Sequence, residues 1–247
     1  MAFTDSWLLT PDHSRMIESN QRRLIIAIDG PAGAGKSTIA ARLARKLGYV
    51  NLESGAMYRA LALKAIQQDA SFDEEPALVR LAETSRIRLE PTATGNRVLL
   101  DGKDVSERIR EQDVTEGASR VSIHPKVREW MVAHQRAMGE GGGVIMEGRD
   151  IGTKVFPDAE VKIFLDAAPE VRQDRRLRQH AMSGRDKAAA VASDIQQRDE
   201  RDRRRAASPL VPAEDAVIID STGLSIEDVE NAIEKVVRKK LSDVTSG

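Results

Sequence analysis

Residues 30–38 read Gly30-Pro31-Ala32-Gly33-Ala34-Gly35-Lys36-Ser37-Thr38, directly after the apolar run Leu24 to Ile28. The stretch matches G-x-x-x-x-G-K-[ST] in the strand–loop–helix setting that a phosphate-binding loop needs. In a chain this long the pattern would arise by chance roughly 1% of the time, so an accidental glycine-rich turn is set aside. The residue types follow from a polyphosphate ligand. Glycines let the backbone curl until successive N–H groups point inward, Lys36 reaches the β- and γ-phosphates, and the Ser37 hydroxyl is offered to Mg²⁺. A helix over 36–47 would start beneath the phosphates and add the positive end of its dipole. The whole run from Gly30 to Thr38 is therefore expected to hold a nucleoside triphosphate.

The rest of the composition bounds the answer without deciding it. At 247 residues the chain fits one large or two small domains and can bury a proper core. A formal net charge of -1 gives no global pull toward nucleic acid or anionic membrane, so any affinity for phosphate must be local. The chain has no cysteine, which excludes disulfides, thiolate metal sites and cysteine nucleophiles. That usage fits a reducing compartment, and a cytoplasmic location is expected. No apolar run approaches the ~18 residues of a membrane span. Residues 1–22 lack the basic start and apolar stretch of a signal peptide; they read as a polar tail without stable structure, with Met16 as an alternative start.

Outward from the loop, strands and helices alternate. Ile39, Leu43 and Leu47 share one helical face, and Gly48 closes that helix. Tyr49 to Leu52 reads as a second strand, followed by helices from about 55 to 68 and near 76–83. Ile87 to Leu89 and Arg97 to Leu100, separated by Thr94-Gly95-Asn96 and followed by Asp101-Gly102, predict a small antiparallel insert over about 85–106. A helix opens at Pro125 and carries Val127, Trp130, Met131 and His134. Val144 to Met146, Val161 to Leu165 and Val217 to Ile219 are further strands, and 169–182 and 188–206 are arginine-rich helices. Ser225 with Asp228 resembles a capping box for a helix over 225–241, with Val229, Ile233 and Val236 as its apolar face. The pattern predicts an α/β fold: a parallel sheet covered by helices, with ligands beyond the carboxyl ends of the strands.

Three segments would meet at that edge. Glu53-Ser54-Gly55-Ala56-Met57-Tyr58-Arg59 follows one strand, and Glu147-Gly148-Arg149-Asp150-Ile151-Gly152-Thr153 follows another. In Arg198-Asp199-Glu200-Arg201-Asp202-Arg203-Arg204-Arg205, residues Arg198, Asp202 and Arg205 share a helical face at i, i+4 and i+7. Interleaved charges usually mark a solvated surface. Two nucleotide polyphosphates brought together need several fixed guanidiniums, and this helix supplies them.

This combination closely resembles the bacterial cytidylate kinases. The resemblance spans about residues 24–240 and rests on Asp29 to Thr38, Ser54 to Arg59, Gly148 to Thr153, Phe156-Pro157-Asp158-Ala159, and Arg198 to Arg205 followed by Ala206-Ala207-Ser208-Pro209-Leu210. It implies a phosphate-loop core (23–59, 118–181, 207–247), a monophosphate-binding insert (60–117) and a short lid (182–206) in one kinase domain over 23–247, outside the tail. It also implies ATP with Mg²⁺ as phosphoryl donor, CMP and dCMP as acceptors, and a monomer bound to neither nucleic acid nor membrane. Carried over residue by residue, Ser54, Arg59, Arg149 and Arg205 resemble ligands of the acceptor phosphate. Ser119, Arg128 and Asp150 resemble cytosine readers, with Tyr58 beside them, and Arg198 with Asp202 resembles a ribose clamp. Lys36, Arg149, Arg201 and Arg205 would act in catalysis, while Arg176 and Arg201 would contact ATP. Ser37 would hold Mg²⁺, and Glu147 would bear on it through a water. Glu53 and Glu147 depart from the family's shorter aspartates, so the surroundings of the metal differ there.

The chemistry is consistent with that assignment. A nucleoside monophosphate has a second pKa near ~6, so its oxygen is ionised at pH 7 and attacks without a general base. Asp150 is then free to read a base edge, and cytosine's exocyclic amine suits a carboxylate. A kinase for a hydroxyl acceptor would share the loop but would need a positioned carboxylate base, and it leaves the 198–205 face unexplained. A guanine-nucleotide switch would carry [NT]-K-x-D; Thr153-Lys154-Val155-Phe156 fails at its last position. Nucleic-acid binding through the arginine helix sits badly with balanced charge and 3% aromatic residues.

Overall fold

The computed structural model describes residues 23–92, 95–182, 202 and 208–245. The expected polar tail, most of the lid and the arginines at 198, 201 and 205 lie outside them.

The central sheet has five parallel strands: β1 (Ile25–Asp29), β2 (Val50–Glu53), β6 (Val144–Gly148), β7 (Val161–Asp166) and β8 (Val217–Asp220). They lie in the order β2-β6-β1-β7-β8. The apolar run Leu24 to Ile28 becomes the middle strand, in register with Ile145 of β6 and Val161 of β7 opposite Ile26. Its side chains alternate between two apolar layers, as period-2 geometry requires. Ile26 and Ile28 face one layer with Ile39, Leu43, Val229, Ile233 and Val237, under α1 (Lys36–Leu47) and the C-terminal helix (Ile226–Thr245). Ala27 faces the other layer, with Leu61, Leu78, Val127 and Met131.

That second layer is built by α2 (Ser54–Gln67), α3 (Glu75–Thr84), α4 (Gln112–Val121) and α5 (Pro125–Met138). Between α3 and α4 stands the antiparallel insert, β3 (Ile87–Thr92), β4 (Gly95–Leu100) and β5 (Lys103–Asp104). Its inward residues Leu89, Val98 and Leu100 join the same apolar cluster. After β6 the chain makes one π-type turn (Ile151–Val155), and β7 leads into α6 (Pro169–Met182). No helix among the described residues is long and apolar enough to cross a membrane.

Two readings of the sequence need correction in detail. The apolar face of the C-terminal helix, α7, runs through Val229, Ile233 and Val237, with Val236 half-buried at its edge, because a four-residue step keeps a helical stripe aligned. Helix α4 had no counterpart in the sequence reading.

Candidate active site

All five strands point their carboxyl ends the same way, so the turns after β1, β2 and β6 meet at one edge. The turn after β1 is the glycine loop. Gly30 (φ +148°) lies so close to β7 that a Cβ there would stand 2.0 Å from the Leu165 carbonyl oxygen, and a Cβ on Gly33 would stand 2.6 Å from that of Arg172. Only glycine lets the loop nestle against β7 and α6 at these points.

The loop is also held from behind. Arg172 donates from Nη1 to the Ala32 carbonyl (3.1 Å) and from Nε to that of Ala167 (2.9 Å). Arg175 donates from Nη1 to Ala34 O (3.3 Å) and Ser221 Oγ (2.9 Å), and from Nη2 to Ser221 O (2.8 Å). A curled loop that turns its N–H groups inward must turn carbonyls outward, and buried carbonyls need donors. These two arginines supply them; the sequence reading noted both only as members of an arginine-rich helix. Arg176, expected at ATP, is half-buried on the same helix.

Lys36 is buried, and its Nζ donates to the Pro31 carbonyl at 2.7 Å. Burial and the Arg149 guanidinium bring its ammonium down to about 7, against the upward pull of Glu147 and Asp29. Ser37 donates its hydroxyl to Glu147 Oε1 at 2.7 Å. Burial pushes the Glu147 carboxyl up, and the Lys36 charge and the Ser37 bond oppose it. Both are hard oxygen donors, a set that suits Mg²⁺. Among the described residues no group of three or more acidic, His or Cys side chains could enclose a metal, so any Mg²⁺ there would take most of its ligands from phosphate and water.

The turns after β2 and β6 interlock. Ser54 donates Oγ–H to the Glu147 carbonyl at 2.7 Å. Arg59, one turn along α2, pairs with Glu53. Burial raises the Glu53 carboxyl, but the Arg59 guanidinium outweighs it by charge and hydrogen bond, with Arg110 adding to the pull, and the net position is below the usual range. Arg149 donates Nε–H to Asp202 at 2.8 Å, which draws the one described residue of the 198–205 segment to the strand ends. Asp29, the last residue of β1, accepts from the N–H groups of Ile151 (2.8 Å) and Gly152 (2.7 Å) and so orients the turn that presents Arg149 and Asp150.

A second pocket of charge lies toward α5. Arg128 and Asp150 form an ion pair with side chains only 5% and 9% exposed. Arg128 also donates Nη1–H to the Ser122 carbonyl (3.2 Å), and its guanidinium lies 5.7 Å from the Tyr58 ring centroid. Its Nε is buried with no acceptor among the described residues. Ser119, also buried, sits on the last turn of α4 and accepts from Ser122 Oγ through its carbonyl (3.0 Å).

A glycine loop with a buried lysine and a following hydroxyl, set at the carboxyl edge of a parallel sheet and flanked by guanidiniums, defines a phosphate-loop kinase architecture. The family model for cytidylate kinase matches residues 26–239. The chain is 47% identical to the cytidylate kinase of Solibacter usitatus over 232 residues, covering 92% of this chain and 98% of the relative. It is 50% identical to that of Pelotomaculum thermopropionicum (90% and 96% covered) and 48% identical to that of Enterococcus faecalis (88% and 97%). The chain belongs to the cytidylate kinase family.

Proposed function

We propose that this protein transfers the γ-phosphoryl group of ATP to CMP or dCMP, giving ADP and CDP or dCDP. The observation that carries the reading is the buried Arg128–Asp150 pair beside the phosphate-loop edge, with an Arg128 Nε that has no acceptor among the described residues. A buried donor without an acceptor is costly unless a ligand supplies one. Cytosine presents an amino donor next to ring acceptors, which complements a carboxylate beside a guanidinium.

In this reading the loop N–H groups and Lys36 hold the donor phosphates, and Ser54, Arg59 and Arg149 hold the acceptor phosphate, with Arg205 joining them. Ser119, Arg128 and Asp150 read the base with Tyr58 beside them, Arg198 and Asp202 clamp the ribose, and Arg176 and Arg201 attend ATP. An ionised acceptor oxygen forms a bond to the γ-phosphorus as the bond to the β,γ-bridging oxygen breaks, and ADP leaves with that electron pair. No proton need be removed by the protein, so its contribution is in-line positioning and charge neutralisation. Ser37, with Glu147 through a water, would hold Mg²⁺, which would supply positive charge against the phosphates.

Asp150→Ala tests the reading. Removal of the carboxylate should lower kcat/KM for CMP by orders of magnitude, within the ~10⁴ that a hydrogen-bonding site can enforce, and should affect UMP far less. Arg149→Ala should weaken all acceptors alike. Equal losses for CMP and UMP in Asp150→Ala would move base reading elsewhere, with Ser119 next to be substituted.

A further inference from the structure

The antiparallel insert carries one polar residue in an apolar register. Along β4, residues 96, 98 and 100 point inward; Val98 and Leu100 are in the core, and Asn96 is 6% exposed. A buried carboxamide at such a position must be bonded on both sides. Asn96 Oδ1 accepts the Glu53 N–H at 2.9 Å, and Nδ2 donates to the Asn51 carbonyl at 2.7 Å.

These partners belong to one pattern. β2 is an edge strand, and Val50 N–H bonds toward Gly143 at the start of β6, so the alternate residues Asn51 and Glu53 turn their backbone groups to the open side. A parallel neighbour would place one peptide residue there, donating to the carbonyl of residue 51 and accepting from the N–H of residue 53. The Asn96 side chain makes both bonds. It closes the edge as a one-residue strand would, at the point where β2 ends and α2 begins.

What it closes is the corner that carries the acceptor side of the site. Glu53 is the N-cap of α2; Ser54 follows it, and Arg59 pairs with its carboxylate. We infer that Asn96 is a positioning residue for the acceptor phosphate: its side-chain amide bonds the insert to the backbone of β2 and fixes the β2–α2 corner from which Ser54 and Arg59 project. The inference rests on the proposed kinase reading. It also names the residue through which the antiparallel strands, within the 60–117 region that the resemblance gave to the monophosphate, would share in acceptor binding.

Asn96→Ala is the test, with steady-state kinetics for both substrates and hydrogen exchange resolved at the Glu53 amide. Loss of a paired buried bond should raise KM for CMP about ten-fold while KM for ATP stays within about two-fold. Exchange at Glu53 should accelerate well beyond that of other sheet amides. If the alanine variant folds poorly, Asn96→Asp serves. It keeps an acceptor for Glu53 but turns an oxygen on the Asn51 carbonyl, and it should shift KM for CMP in the same direction. A parallel rise in both KM values, or no change in KM for CMP with wild-type turnover intact, would overturn the inference alone. Wild-type protein that phosphorylates no cytidine monophosphate would overturn the kinase reading and this inference with it.

Discussion

At the residue scale, the site is a set of buried charges held at fixed distances from backbone dipoles. Lys36→Met keeps the aliphatic stem and gives up only the Nζ bond to the Pro31 carbonyl, so it should keep the fold, read by circular dichroism, and lose roughly 10²–10³ in kcat. Near-normal turnover in the folded variant would remove the phosphate-loop assignment. Asp29 makes a different prediction. Burial pushes its carboxyl up to about 6 from an ordinary 3.8, against its two backbone N–H bonds. Between those values the folded protein holds a proton that the unfolded chain has lost, so stability contributed by this group falls as pH rises through the window. Relative to Asp29→Asn, which does not titrate, wild-type stability in urea should therefore decline from pH 4 to pH 6.5; a relative gain would contradict the assignment. The sequence displayed the glycines, Lys36 and Ser37 because one ligand dictates nine adjacent residues. Arg172 and Arg175 were opaque because the loop carbonyls they hold lie about 140 positions away, and Asn96 because nothing nearby in sequence announces an edge to close.

At the scale of elements, helix α7 begins with a reciprocal capping box: Ser225 Oγ accepts the Asp228 N–H at 3.1 Å, and Asp228 Oδ2 accepts the Ser225 N–H at 3.1 Å. Ser225→Ala should cost about 1 kcal/mol in chemical denaturation with no change in either KM, since α7 packs behind the sheet. This start signal was legible in sequence, as were Pro125 at the head of α5 and Gly48 in the left-handed conformation (φ 65°) at the end of α1. Helix α4 was not. Its sequence Gln112 to Val121 contains Val114, Thr115 and Gly117, poor helix formers, and its helical state is set by packing. Val114, Ala118 and Val121 enter the apolar layer beneath α2, and Gly117 lets the Phe72 ring approach so closely that a Cβ would stand 2.5 Å from it.

At the scale of the whole molecule, the fold converts distant segments into one edge. Alternation of strand and helix announced a parallel sheet, yet the order β2-β6-β1-β7-β8 is set by pairings between strands up to about 135 residues apart, which local periodicity does not encode. That order matters for chemistry: β6 slots between β1 and β2, and so brings Glu147 onto Ser37 and its carbonyl onto Ser54. With a net charge near zero, any affinity for phosphate must be local, and at this edge Lys36, Arg59, Arg128 and Arg149 stand among Glu53, Glu147, Asp150 and Asp202. At this edge, in the proposed reaction, the γ-phosphoryl group of ATP passes to a cytidine monophosphate. The most direct test is a coupled assay of ADP release by the wild-type protein with AMP, CMP, dCMP, GMP, UMP and shikimate as acceptors. The account predicts rapid release with CMP and dCMP, less with UMP, and background rates with AMP, GMP and shikimate; a preference for shikimate or a purine monophosphate over CMP would contradict it.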